Sequence, residues 1–141
     1  IKLLDPRAKA PAYGSADAAG ADLYALTDAP VNIAPGETAM LHTGLALAIP
    51  KGYVGLVYAR SGLATRQGLA PANKVGVIDS DYRGELMVPL HNHSGEVRTV
   101  QTGDRIAQLI IAPYLTAEFQ IADDLGDTVR GNGGFGSTGM K

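Results

Sequence analysis

Three short stretches carry side chains suited to polar chemistry. In Gly76-Val77-Ile78-Asp79-Ser80-Asp81-Tyr82-Arg83-Gly84 two carboxylates bracket a serine just before an aromatic ring and a turn glycine. Such a carboxylate can act as a general base toward water, and alternating Asp is also ordinary turn chemistry. A calcium loop of the EF-hand kind needs further oxygen ligands and a bidentate Glu at fixed spacing, which this stretch lacks. In Arg60-Ser61-Gly62 a guanidinium and a hydroxyl stand at the start of a short helical run, where free N–H groups attract anions. Alone, the same triplet reads as a capped turn with a surface arginine. From Arg130 to Gly139 there are five glycines in ten residues, too many to hold an ordered backbone unaided. That tail reads as mobile. A lone Phe135 between glycines nevertheless suits a lid that lays a ring over a base while glycine N–H groups approach phosphates, with Arg130 adding a planar fork.

Other candidates are weaker. His91 and His93 are spaced to share one face of a strand, but with no third ligand nearby zinc is not expected, and His42 stands apart. Asp22 and Gln108 are polar residues in strand-like surroundings. The sequence has no cysteine, which excludes disulfides, thiolate metal sites and a cysteine nucleophile.

The elements that must position these residues read as strands. Runs at Ala21–Leu26, Thr38–Ile49, Tyr53–Ala59, Leu86–Asn92 and Ile106–Ala112 are rich in β-branched or alternating residues, and Gly and Pro punctuate them. A hairpin is expected over Val75–Leu86, and a single short helix through Leu63–Gln67, capped by Ser61 and ended by Gly68. Residues 31–37 and 99–104 share an apolar, then glycine, then acid rhythm that predicts two similar strand-to-turn passages. At 141 residues, with 18 Gly and 8 Pro, the chain suits one all-β domain of sandwich, barrel or jelly-roll type. A net charge of −2 argues against a general basic surface for nucleic acid, so a phosphate ligand must be met locally. Two arginine–glycine sites in such a chain point to a polyphosphate. No stretch has the apolar length of a membrane span, and a cytoplasmic setting is the expectation, although the sequence starts at Ile rather than Met.

Taken in order, Ala19–Ala25, Arg60–Ala64, Gly76–Gly84, Gly103–Leu109 and Arg130–Gly139 resemble the five motifs of the trimeric dUTPase family, and together they span nearly the whole chain. The resemblance implies a jelly-roll-like β subunit (a dUTPase-like β-clip) over residues 1–129 with a Gly-rich C-terminal arm over 130–141. The subunits would form a homotrimer whose arm reaches or exchanges between chains. It also implies Mg²⁺-dependent hydrolysis of dUTP to dUMP and pyrophosphate by water attack on the α-phosphorus, limiting uracil in DNA and supplying dUMP for thymidylate synthesis.

By motif position, Asp79 would be the general base and Tyr82 would pack on the deoxyribose and exclude a 2′-hydroxyl. Asn73 with the backbone of Gly76, Val77 and Ile78 would read the uracil edge, and Phe135 would stack on the base. Arg60, Ser61, Gly62, Gln108, Arg130, Gly136, Ser137 and Thr138 would hold phosphates, and Asp22 would support Arg60. Mg²⁺ would be held by phosphates and waters, with Asp22 reaching it at most through water and no residue as a direct ligand. Asp81 is given no catalytic role, because strand alternation turns it away from the partners of Asp79. Two other readings remain open: a dCTP deaminase of the same fold, and a nucleotide-sensing module that binds without turnover. Neither nucleic acid nor a membrane is an expected partner.

Overall fold

The computed structural model describes residues 1–134. In chain order the elements are β1 (Lys2–Leu3), β2 (Ala12–Tyr13), β3 (Ala21–Tyr24), β4 (Val31–Ile33), β5 (Thr38–Leu41), β6 (Leu45–Ala46), β7 (Tyr53–Tyr58), α1 (Ser61–Gln67), β8 (Leu69–Pro71), β9 (Gly76–Ile78), β10 (Val88–Asn92), β11 (Arg98–Val100) and β12 (Arg105–Pro113). A five-stranded sheet has the order β2-β3-β12-β7-β9 and a three-stranded sheet the order β5-β10-β8, and two ribbons pair β1 with β6 and β4 with β11. Every pairing is antiparallel. The subunit is all-β and jelly-roll-like, as expected. Among the described residues, no helix is long and apolar enough to cross a membrane.

Period-two alternation explains which faces meet. In β3, Ala21 and Leu23 are buried while Asp22 and Tyr24 are only half-buried; in β10, Val88, Leu90 and Asn92 are buried and Pro89 and His91 half-buried. Leu23 and Ile106 from the larger sheet join Leu41, Leu69 and Leu90 from the smaller one in a single core, each at most 1% exposed. Burying one such side chain contributes about 1.5–3 kcal/mol. The core admits Asn92 because its amide is fully used: Nδ2 donates to the carbonyls of Ile33 (2.8 Å) and Glu96 (2.7 Å), and Oδ1 accepts from Ser94 N and Oγ.

Three of the expected local features differ in the structure. The expected strand Thr38–Ile49 is broken at Gly44, whose φ of +68° favours glycine; a Cβ there would lie 2.6 Å from Leu26 Cδ2. The break hands the chain from β5 in the three-stranded sheet to β6 in the ribbon with β1. The stretch Val75–Leu86 is not a hairpin. Its first arm, β9, pairs with β7, while Glu85 bridges Ala46 and the chain continues into β10 of the other sheet, so the loop crosses between sheets. Ser61 does not cap α1: Arg60 occupies the cap position in extended conformation, with no side-chain cap hydrogen bond, and Ser61 is the first helical residue. Gly68 does end the helix, at φ 69°. The two similar passages prove to be each other's partners, with Val31 opposite Val100 and Ile33 opposite Arg98. Their shared rhythm reflects two strands of one ribbon, each followed by a positive-φ glycine, Gly36 and Gly103.

Regular structure ends at Pro113 among the described residues. Beyond it Leu115, Phe119, Ile121, Leu125 and Val129 are at least 94% exposed.

Candidate functional site

The loop after β9 builds the first half of the site. Asn73, Val77, Ile78, Asp79 and Tyr82 line a cleft of about 310 Å³ together with Met40, Glu85, Leu86, Met87 and Pro89. Tyr82 N donates to the Asp79 carbonyl (3.2 Å), closing the turn, and Arg83 folds back so that Nη1 donates to the carbonyls of Ser80 (2.7 Å) and Tyr82 (2.9 Å). The Tyr82 ring lies over Gly84, where a Cβ would collide with its Oη, Cζ and Cε2, and its hydroxyl donates to the Glu85 carbonyl (3.0 Å). Gly76 serves a similar purpose: a Cβ there would sit 3.1 Å from Asn73 Nδ2 and 3.2 Å from Val57 Cβ, so glycine lets the Asn73 amide approach the β9 backbone. Asp79 is exposed, and with Asp81, Ser80, Arg83, Lys51 and Tyr114 it lines an adjoining hollow. The expectation that Asp81 turns away from the partners of Asp79 therefore fails: a spacing of two would put both on one face even in a strand, and residues 79–84 form a loop in which the two share a hollow.

The second half is built across three strands. Asp22 on β3 pairs with Gln108 on β12, which pairs with Tyr58 on β7, so all three lie in one row. Asp22 Oδ1 accepts from Arg60 Nε (2.7 Å) and Oδ2 from Arg105 Nη1 (3.2 Å). The carboxylate is 14% exposed and the Arg60 side chain 26%, so this pair is shielded enough to hold the guanidinium in one direction. Gln108 Nε2 donates to the Ala59 carbonyl (2.9 Å), tying β12 to the start of α1, and its side chain packs so closely on Gly20 that a Cβ there would lie 3.3 Å from Gln108 Cβ and closer still to the amide. Ser61 and Gly62 are exposed at the helix start, and open space surrounds Gly62.

These halves lie apart. Tyr58, in the Asp22 row, and Val54, level with the exit from β9 toward Asp79, are four residues apart on β7, or roughly 13 Å. Arg130 is exposed in a local turn, Nε donating to the Gly133 carbonyl (2.7 Å). Phe135, Gly136, Ser137 and Thr138 lie outside the described residues.

Among the described residues there is no group of three or more His, Cys, Asp or Glu able to hold a metal ion. The His91 and His93 rings meet edge to face at 4.4 Å, and Thr38 Oγ1 shares a hydrogen bond with His91 Nδ1 (2.8 Å). Burial, with the neighbouring His91 and Lys74 charges, pushes His93 below its ordinary value. Glu85 and Arg105 were not singled out from the sequence. Arg105 stands inside the Gly103–Leu109 stretch, but its sharing of Asp22 depends on a pairing between strands 83 residues apart.

Fold and clefts define a jelly-roll-like β subunit with one half-site formed by an acidic, aromatic-capped loop and another by aimed arginines. The dUTPase family model matches residues 6–139, and the chain belongs to the dUTPase family. It is 51% identical over 138 residues to a deoxyuridine 5'-triphosphate nucleotidohydrolase of Desulfitobacterium hafniense, covering 97% of this chain and 91% of the relative. It is 53% identical over 134 residues to the enzyme of that name from Anaeromyxobacter sp., covering 95% and 90%. Among solved structures, a Staphylococcus bacteriophage 80alpha dUTPase variant with dUpNHpp superposes with a TM-score of 0.83 at 30% identity, covering 98% of this chain and 96% of that one.

Proposed function

We propose that this chain hydrolyses dUTP to dUMP and pyrophosphate. The observation that carries the reading is the cleft in which Asn73, Val77, Ile78, Asp79 and Tyr82 converge, in a chain whose relatives are named for this activity. Asp79 takes the proton from the water that attacks the α-phosphorus, a role open to an exposed carboxylate at a cleft edge. Tyr82, held against Gly84, offers its ring to the deoxyribose and leaves no room for a 2′-hydroxyl. Asn73 and the Gly76–Ile78 backbone read the uracil edge; against cytosine such a site leaves buried groups unpaired, worth about 10⁴-fold in discrimination. Thymine is rejected by the rigidity of the same loop.

Arg60, Ser61, Gly62 and Gln108 take the phosphates, with Asp22 aiming Arg60. Arg130, Phe135, Gly136, Ser137 and Thr138, on an arm formed by residues 130–141, close over base and phosphates. Mg²⁺ supplies charge neutralisation on the triphosphate. The residues present fit an ion that arrives on phosphates and keeps its waters, since Asp22 is occupied by two arginines and the described residues form no acidic cage. A solved structure of a dUTPase variant from phage phi11 of S. aureus reveals the coordination of a structural Mg(II) ion.

The working unit is a homotrimer in which different chains supply the two halves of each site. Two features support this: the halves lie roughly 13 Å apart along β7, and five large apolar side chains after Pro113 are left in water by their own chain. The substrate is a free nucleotide, so neither nucleic acid nor membrane is needed as partner, and the cytoplasm, where such nucleotides are made, is its setting. There the reaction limits uracil incorporation into DNA and supplies dUMP.

Pyrophosphate release across dUTP, UTP, dCTP and dTTP, with and without Mg²⁺, tests the proposal. Release from dUTP alone, and only with Mg²⁺, is expected. Ammonia from dCTP without pyrophosphate from dUTP would identify a deaminase, and tight dUTP binding without release a sensing module.

A further inference from the structure

We infer that Glu85, through His42 and the Gly44 N–H, positions the Tyr82 ring and thereby sets how strongly deoxyribose is preferred to ribose; this rests on the proposed dUTP hydrolysis. The loop carrying Asp79 and Tyr82 is anchored at its start by the pairing of β9 with β7. At its end it must be anchored to another layer, because the chain there crosses to the other sheet, and Glu85 is the residue at that crossing.

Both carboxylate oxygens of Glu85 are engaged. Oε1 accepts from Gly44 N (2.8 Å), and Oε2 meets His42 Nδ1 (2.8 Å). Its main chain bridges Ala46, and the next residue is fastened on both sides: Leu86 N donates to the Leu45 carbonyl (2.7 Å) and the Leu86 carbonyl accepts from Thr43 Oγ1 (2.5 Å). The Glu85 carbonyl, fixed by these ties, accepts the Tyr82 hydroxyl. The path from the side chain of Glu85 to the sugar-facing ring is therefore one residue long.

The tie is partly shielded on the Glu85 side and open to solvent on the His42 side. The Glu85 side chain is 23% exposed and forms part of the wall between the Tyr82 cleft and the hollow lined by Asp5, Arg7 and His42. Partial burial pushes its carboxyl up, but hydrogen bonds from His42 and from Gly44 N–H, the His42 charge and the Thr43 N–H outweigh this and hold it below its ordinary value. Gly44 can present its N–H because it adopts a positive φ in a space where a Cβ would strike Leu26 and Ala8. Without the carboxylate, the Glu85 peptide keeps its main-chain ties to Ala46 and Leu45 but loses those that its side chain makes to Gly44 and His42, so the acceptor of the Tyr82 hydroxyl is held less closely.

A purely structural role would lower stability and leave sugar selectivity alone; a positioning role changes the ratio of kcat/KM for dUTP to that for UTP. The full-length protein and its Glu85→Ala, Glu85→Gln and His42→Ala variants are compared on both substrates, with thermal melts alongside. The expected result is a selectivity ratio reduced about tenfold in Glu85→Ala. Glu85→Gln, which still accepts from Gly44 N, should recover most of it, and His42→Ala should fall between. A wild-type ratio in Glu85→Ala would overturn the inference whatever its melting temperature. If that variant does not fold, wild-type ratios in both Glu85→Gln and His42→Ala overturn it instead. A wild-type protein without dUTP turnover strikes the functional reading and this inference together, whereas wild-type turnover with unchanged selectivity in the variants strikes the inference alone.

Discussion

Asp79 and Tyr82 share a turn of six residues, yet they owe their placement to different causes. Asp79 follows directly from β9 and is carried by the β9–β7 pairing, while Tyr82 rests on Gly84 and the Glu85 carbonyl. Replacing Asp79 by Asn keeps the shape and removes the base, so Asp79→Asn is expected to bind a dUTP analogue as tightly as the wild type and to lose turnover by about 10²–10⁴-fold. Single-turnover kinetics and analogue titration separate the two effects; turnover near the wild-type rate would assign the proton transfer to another group. At this scale the sequence was informative wherever chemistry is local: an Asp before an aromatic and a turn glycine, or an arginine at a helix start. It was silent about Glu85 and Arg105, whose partners lie 41–43 and 83 residues away. Their meaning depends on which strands become neighbours.

Strands were visible where alternation ran for four residues or more, as in β3, β7, β10 and β12, and invisible where pairing alone defines them. β1 and β2 are two residues long and β8 three, and runs that short carry too little periodicity to distinguish strand from turn. Gly44 shows the converse, a residue whose local effect overrides a good pattern. The alternation of Thr38–Ile49 predicts a continuous strand, and one positive-φ glycine divides it between two sheets. Gly44→Ala would both force a strained φ and drive a methyl into Leu26 and Ala8. The expected cost is about 1–3 kcal/mol from the backbone alone, read as a lower midpoint in urea unfolding. Gly36→Ala offers the contrast, since its φ is also positive but open space surrounds it, and it should lose only the backbone share.

For the whole molecule, the proposed sharing of sites between chains makes a prediction that no monomer could satisfy. Asp79→Asn subunits and subunits lacking residues 130–141 should each be inactive alone. Co-refolded together, they should recover part of the dUTP turnover, because a mixed assembly can combine an intact Asp79 from one chain with an intact arm from another. No recovery in mixtures that demonstrably contain both chains would place base and arm in the same chain. At this scale the five ordered motifs were legible in the sequence, but nothing in it foretold that Leu115, Phe119, Ile121, Leu125 and Val129 would find no cover among the described residues. An apolar residue in a sequence does not say whose core it joins.

The strand order β2-β3-β12-β7-β9 also bears on how the chain folds. β3 and β7 lie on either side of β12, so two parts of the sheet that are synthesised early are joined only by residues 105–113. Ala21 meets Leu109 and Val57 meets the same residue, closing loops of 88 and 52 residues at one position (109 − 21 and 109 − 57). Contacts this distant in sequence put folding in the slow, non-local regime of β proteins. A nascent chain carries the inner edges of β3 and β7 unpaired until β12 emerges, and that interval, rather than the finished fold, is when the protein is most exposed to pairing with the wrong neighbour.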